Sequence, residues 1–343
     1  MMKAIFFEQH GDIETLKFAD VPEPKPLAGE ALVKVKAVAL NHLDIWVRRG
    51  WRGLHLELPH ITGSDVCGEI VSAPAESGWR AGTRVIINPG IVTGEDQWTR
   101  RGAESLSPNY KILGEQLPGG MAEYVKVPVR NLFTAPDHWS DAEACAPLLV
   151  GTTCWRMLFK QGDLKAGQSV LIVGAGGGVN SLAIALARAA GAYVYCLAGS
   201  KEKQKRAEQL GANVTVNYND NRNWHVEILK LTKGIGVDLV IDNVGAETLQ
   251  KSLRAVTRGG KVVTVGNTSG YEVSYDNRVL FSKQISLIGS TMGSKQDFID
   301  VIQFMAAQNI RPVIDQVAPL SDGIKMLRRL EEGKQFGKLV LQN

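Results

Sequence analysis

Residues 1–140 alternate apolar and polar side chains over short runs broken by Gly and Pro. KAIFF (3–7), ALVKVKAVAL (31–40), CGEIVSA (67–73), TRVIINPG (83–90) and AEYVKV (122–127) read as strands of this kind. Short strands with turn residues between them predict a small, barrel-like all-β unit. Pro22, Pro24 and Pro26 mark an extended link within it. The stretch from Gly90 to Pro118 has little periodicity and reads as a functional loop or a separate lobe.

The pattern changes near Ser140. Asp141 to Lys160 has helical spacing, interrupted around Pro147 and Gly151. Apolar runs at 170–173, 193–197, 214–216, 238–241 and 261–265 then alternate with helical patterns at 179–190, 201–210, 223–232 and 246–257. Strands joined by crossover helices run parallel, which predicts an α/β, doubly wound sheet. A strand at 285–288 extends that sheet, and helices near 295–308 and 321–332 and a last strand, GKLVLQ, follow. No repeat of fixed period is visible.

The sharpest local signal is VLIVGAGGGVNSLAIALARAAGAYVYCLAGS, residues 170–200. It reads as strand, tight turn, helix, strand, with Gly174, Gly176, Gly177 and Gly178 in the turn. Glycines let the backbone approach a pyrophosphate closely, and the helix opening near Val179 directs free N–H groups at the charge. Asn180 stands where a further glycine would allow tight helix–strand packing, so a slightly displaced helix start is expected. An NAD site places Asp or Glu at the end of the second strand; here Ala198 and Gly199 precede Ser200, Lys201 and Lys203. A small residue beside Ser and Lys suits a 2′-phosphate, so NADP(H) is the expected cofactor. Alternatively, Lys201, Lys203 and Arg206 are only the solvated face of the next helix. Asn243, Val244, Val265, Gly266 and Asn267 end the fourth and fifth strands and are candidate ribose and nicotinamide neighbours, or ordinary turn residues.

A length of 343 residues predicts two domains, and 44% hydrophobic with 22% charged residues is globular. The net charge of +4 is spread along the chain and offers no basic stripe for nucleic acid. No run of 18 apolar residues and no leader pattern is present. Cys67, Cys145, Cys154 and Cys196 form no CxxC and suggest no disulfide framework, which is compatible with a reducing cytoplasm.

In order, NSLAIALARAAGAYVYCLAGS, LGANVTVNY and GVDLVIDNVG resemble recurring segments of the medium-chain dehydrogenase/reductase superfamily, and the likeness spans essentially the whole chain. It is nearest the zinc-less quinone oxidoreductases and archaeal-type alcohol dehydrogenases. The resemblance implies a chaperonin-10-like (GroES-like) β-barrel domain, residues 1–145 and 291–343, that carries the substrate chemistry. A Rossmann domain over 146–290 would hold the cofactor. It also implies a homodimer or homotetramer, often built by continuing the Rossmann sheet, with strand 285–288 as the candidate edge.

The family's catalytic zinc ligands align with Asn41 in NHLD and Ser64 in TGSD, with Asp44 and Asp65 at the neighbouring carboxylate positions; Cys145 in DAEACAPLLVG is a candidate for the remaining cysteine. Asn and Ser do not replace thiolate and imidazole, so the metal is expected to be lost. The four structural-zinc positions fall on Thr93, Asp96, Thr99 and Ser107, none of them cysteine, and that loop is expected to be held by packing around Trp98 and Leu106. Without a Lewis acid, the expected reaction is hydride transfer from NADPH to a quinone, enone or activated ketone, whose own conjugation spreads the charge. Asn41, Ser64, Asp65 and the candidate proton relay His42 are the catalytic candidates. Asn41 also reads as a turn cap and His42 as an exposed loop residue. Thr153 is a candidate nicotinamide contact. Trp46, Trp51, Trp98, Met121 and Tyr271 are candidates for a roomy aromatic pocket. The alternatives are an alcohol or aldehyde dehydrogenase that needs no metal, and a non-catalytic NADPH sensor.

Overall fold

The computed structural model describes residues 1–343. The chain forms two compact units: Met1–Val150, Gly293–Ile302 and Arg311–Asn343 make the first, Gly151–Met292 and Gln303–Ile310 the second.

The first unit opens with β1 (Met2–Phe7), β2 (Lys17–Val21) and β3 (Glu30–Ala39), then α1 (His42–Arg49), β4 (His60–Ile61) and β5 (Asp65–Ser72). β6 (Arg84–Ile87), β7 (Gly90–Val92), β8 (Tyr110–Ile112), β9 (Tyr124–Pro128), β10 (Leu132–Thr134) and α2 (Asp141–Cys145) follow. After α3 (Leu148–Trp155), the second unit contains β11 (Ser169–Ile172), α4 (Gly178–Ala189), β12 (Tyr193–Ala198), α5 (Lys201–Gln209) and β13 (Val214–Asn217). It continues with α6 (Trp224–Leu231), β14 (Val237–Asp242), α7 (Leu249–Ala255), β15 (Val256–Thr264), α8 (Asn277–Lys283) and β16 (Ser286–Gly289). The chain ends through α9 (Lys295–Ala307), β17 (Ile314–Pro319), α10 (Gly323–Glu331) and β18 (Lys338–Gln342).

β3 organises the first unit. β5 pairs antiparallel along one edge; β9 covers the first half of the other edge and β18 the second half. The pattern of β3 follows from this. Ala31, Val33, Val35 and Ala37 alternate inward, and from Ala37 to Leu40 every residue is buried. The core around it includes Ile5, Phe7, Ile70, Val85, Met121 and Leu341. The stretch after Gly90 makes the β7–β8 ribbon and short single-turn helices. Its expected packing does not hold: Leu106 is half exposed. A polar knot holds it instead, because Asp96 accepts from Trp98 N, Thr99 N and, at 2.6 Å, Ser107 Oγ.

In the second unit six parallel strands stand in the order β13-β12-β11-β14-β15-β16, the doubly wound arrangement expected. Two details differ from the expected pattern. Only Pro147 interrupts the helical segment, since Gly151 lies inside α3. β15 starts at Val256, directly after α7, where the helical pattern was expected to run to 257.

His60 is buried in the first unit, with its ring 5.6 Å from that of Phe7, and burial lowers its pKa from 6.5 to about 4. The unfolded chain therefore binds the proton at a higher pH than the folded one, and stability is lost as pH falls from 6.5 towards 4. A shift of this size corresponds to roughly 3 kcal/mol. Denaturant titrations should show the native protein losing stability relative to His60→Gln between pH 7 and 4.5; parallel pH dependences would contradict this assignment.

Candidate functional site

In the second unit, β11 ends against a turn that only particular residues can make. Gly174 has φ +99°, a left-handed conformation that favours glycine, and a Cβ there would come within 2.7 Å of Asn180 Nδ2. Gly177 is extended at the start of α4, and a Cβ on it would meet nothing within 4 Å. The turn thus leaves open space in front of a helix N-terminus, which is what an anionic pyrophosphate requires. The expected displacement at Asn180 takes a definite form: α4 begins at Gly178, and the buried Asn180 amide donates to Val173 O at 2.9 Å, fastening the helix to the strand end.

The end of β12 carries no carboxylate. Ser200 caps α5 by accepting from Lys203 N at 3.2 Å, Lys201 is exposed and Lys203 half-buried. Gly199 is pressed by Tyr218, whose hydroxyl would lie 2.4 Å from an added Cβ. At the end of β14, buried Asp242 accepts from Val244 N, Gly245 N, Thr248 Oγ1 and Ser252 Oγ, and so shapes the turn holding Asn243 and Val244. Val265 is half-buried, while Gly266 and Asn267 are exposed after β15. Because the strands are parallel, all these turns share the carboxyl edge of the sheet, beside β11 where the strand order reverses. Thr153 is buried on α3, with Oγ1 3.7 Å from Met292 Sδ.

The first unit contains a buried polar cluster. Ala39 faces Asp65 across the β3–β5 pair and Val340 across the β3–β18 pair. Two residues further along, the second register sets Asn41 opposite Lys338. The Lys338 ammonium donates to Asn41 Oδ1 and, at 2.9 Å, to Asp65 Oδ2. Asp65 is fully buried and Lys338 nearly so. Asn41 Nδ2 donates to Asp65 Oδ2 at 2.9 Å and to Ala39 O at 3.4 Å, and Leu149 N donates to Asp65 Oδ1. Burial pushes the Asp65 carboxyl up, and the ammonium and the Asn41 amide pull it back.

Asp44 accepts from Asn41 N and Gly63 N and joins α1 to the strand before β5. Burial raises its pKa to about 7 against those bonds and the Lys338 charge. His42 opens α1, half-buried, with its ring 6.4 Å from Trp46; burial and then Lys338 lower its pKa and keep the ring neutral near pH 7. Ser64 Oγ is buried with no hydrogen-bond partner. Cys145 Sγ donates to Ala142 O at 3.4 Å, and burial pushes the thiol well above its ordinary pKa.

Asn41 and Asp65 therefore meet in one buried cluster, with His42 and Ser64 their neighbours in the chain, and Lys338 is the residue that sequence reasoning missed. Its signal was a lysine opening a strand that is otherwise apolar up to Gln342. The aromatic pocket does not form as expected. Met121 is fully buried in the core and receives the Thr62 hydroxyl, whereas Tyr271 is 81% exposed and Trp51 is exposed as well.

Residues 27–137 match the family described as alcohol dehydrogenase GroES-like domain, and residues 178–307 match the one described as zinc-binding dehydrogenase. An NAD-dependent alcohol dehydrogenase of Sulfolobus acidocaldarius is 32% identical, with 99% of each chain covered. The chain belongs to the medium-chain dehydrogenase/reductase superfamily. A crotonyl-CoA reductase of Streptomyces avermitilis is 31% identical over 96% of this chain and 82% of its own. A crystal structure of an NAD-dependent alcohol dehydrogenase superposes with TM-score 0.96 at 40% identity, covering 100% of both chains. The protein is thus an alcohol dehydrogenase-like oxidoreductase with the superfamily's GroES-like and Rossmann folds. The glycine turn fits a nicotinamide dinucleotide. The zinc implied by one family description finds no matching donors: no group of three or more His, Cys, Asp or Glu side chains could hold a metal ion.

Gly177→Ala tests the cradle. The backbone there suits alanine and the space is open, so the melting temperature should fall by only a few degrees, in line with an N-cap change of about 1 kcal/mol. Dinucleotide affinity, measured by fluorescence titration, should fall at least about tenfold as the methyl enters the pyrophosphate's space. Unchanged affinity would place the cofactor elsewhere.

Proposed function

We propose that this chain is an NADP(H)-dependent oxidoreductase that works without zinc and reduces a conjugated or activated carbonyl acceptor: a quinone, an enone, or a cyclic or aromatic ketone. The observation that carries this reading is the cluster around Asn41. A lysine ammonium bonds to both Asn41 and Asp65, and the Cys145 thiol donates its S–H to a helix carbonyl. A divalent ion there would meet a fixed positive charge and a neutral thiol instead of thiolates.

Reduced cofactor supplies a hydride from nicotinamide C4. The hydride bonds to the electrophilic carbon, the displaced π pair moves to oxygen, and a proton from solvent completes the reduction. An acceptor that delocalises this charge needs less help from the protein than a simple alcohol–aldehyde pair. The name of the crotonyl-CoA reductase relative describes reduction of a compound of this conjugated kind.

The preference for NADP(H) rests on the end of β12. No carboxylate stands there to repel a 2′-phosphate, and Ser200, Lys201, Lys203 and the Tyr218 hydroxyl surround Gly199 with donors. Relatives named NAD-dependent supply the competing reading, which the same titration decides. β16 is the outer strand of the six-stranded sheet, and a second copy could continue the sheet from it. No helix is long and apolar enough to cross a membrane.

NADPH should be oxidised with a panel of quinones, enones and cyclic ketones at rates that a chelator leaves unchanged. Tight NADPH binding with no acceptor reduced would instead favour a sensor. Lys201→Ala and Lys203→Ala should each weaken NADPH about tenfold, the scale of one charge-assisted contact, and leave NADH unaffected. Equal effects on both cofactors would remove the phosphate assignment.

A further inference from the structure

Position 199 is a glycine for a reason outside its own backbone. Gly199 is not among the residues with positive φ, so an L side chain could adopt its conformation. A Cβ there would instead lie 2.4 Å from the Tyr218 hydroxyl and 2.8 Å from Tyr218 Cζ. The space that a side chain at 199 would fill is thus taken by a phenol from the turn after β13. Tyr218 is 40% exposed, and no group of the protein bonds to its hydroxyl. Its O–H is a free donor just past the carboxyl end of β12.

The turn that delivers this phenol reads Asn217-Tyr218-Asn219-Asp220. Asn217 pairs with Ala198 as the last residue of the parallel β12–β13 ladder, and Tyr218 N donates to Ala198 O at 3.1 Å. There the ladder ends, because the chain turns: Asn219 N donates back to Asn217 Oδ1 at 3.0 Å. The next carbonyl, Gly199 O, is met by a side chain instead, with Asn219 Nδ2 donating to it at 2.7 Å. The Asn217 amide donates to Asp220 Oδ2 at 2.8 Å and so occupies the turn's one carboxylate. The Asn219 bond is exposed, and water would serve the Gly199 carbonyl almost as well, so stability alone does not call for it. Geometry does. Together with the bond from Tyr218 N, it pins the backbone on both sides of the phenol.

We propose that Asn219 is a positioning residue for cofactor choice: by holding Gly199 O it fixes the Tyr218 hydroxyl over the bare face of Gly199, where that hydroxyl donates to the 2′-phosphate of NADP(H). The proposal rests on the NADP(H) reading above and deepens it. The lysines of α5 offer charge on flexible stems, whereas the phenol offers one donor at a fixed place. A bond to the charged phosphate is roughly twice as strong as one to the neutral 2′-hydroxyl of NADH, so misplacing the phenol penalises NADPH more. Every residue involved lies in the second unit.

Affinities for NADPH, NADH and adenosine 2′,5′-bisphosphate, measured by calorimetric titration of the full chain, test this without any acceptor. Asn219→Ala should weaken NADPH and the bisphosphate about fivefold, the scale of one neutral hydrogen bond, and leave NADH within about twofold. Asn219→Gln keeps the amide donor and should recover most of that loss. Tyr218→Phe should weaken NADPH about tenfold. Adding Asn219→Ala to Tyr218→Phe should cost less than about twofold more, because the amide acts through the hydroxyl. Both residues are exposed, so melting temperatures should stay within a few degrees of native.

Unchanged NADPH affinity in Asn219→Ala, an equal loss for NADH, or a further loss of about fivefold in the double variant would overturn the proposal. A native protein that binds NADPH and NADH alike strikes the cofactor reading itself. A native preference for NADPH that survives Asn219→Ala strikes only the positioning role.

Discussion

A positive charge buried in a protein must be met by a negative one, and the first unit is arranged around that requirement. The Lys338 ammonium reaches Asp65 and Asn41 only because β18 lies against β3 while β5 lies along the other edge. Those two registers bring together residues separated by 273 and 297 positions in the chain. Deleting either partner leaves the other uncompensated in a medium that solvates it poorly. The pairing of three strands and the chemistry of the cluster are therefore one constraint seen at two scales.

The second unit meets a different charge, one that arrives from outside. It prepares for an anion with backbone alone: a left-handed glycine, an open glycine and the first turn of α4. Asn180 shows how a departure from the simplest pattern is absorbed. Where a glycine would bring helix and strand together by contact, the amide bridges them through a hydrogen bond to Val173 O. Buried Asp242 does comparable work on the neighbouring strand, organising the next turn with four donors.

The doubly wound sheet was legible in the sequence because its signals are local. Apolar runs, glycine turns and intervening helical periods each report on neighbouring residues, and five of the six strands lie within a residue or two of where the pattern sets them. β15 is the exception, longer at its start because the bulge opposite β14 admits residues after α7. The cluster in the first unit was half legible. Asn41, Ser64 and Asp65 lie in short motifs that a family alignment can reach, but Lys338 joins them only through strand pairing, which no local pattern encodes. The aromatic pocket failed for a related reason. Met121 and Tyr271 have similar apolar character in a sequence, yet one lies in a packed core and the other almost wholly in water.

The lobe between β7 and β8 closes on the carboxylate of Asp96 and the hydroxyls of Thr99 and Ser107. These groups need no ion to be delivered and have no sulfur to oxidise. The donors and acceptors of this clasp lie at most 11 residues apart in the chain, so closing it orders only a short loop and costs little chain entropy.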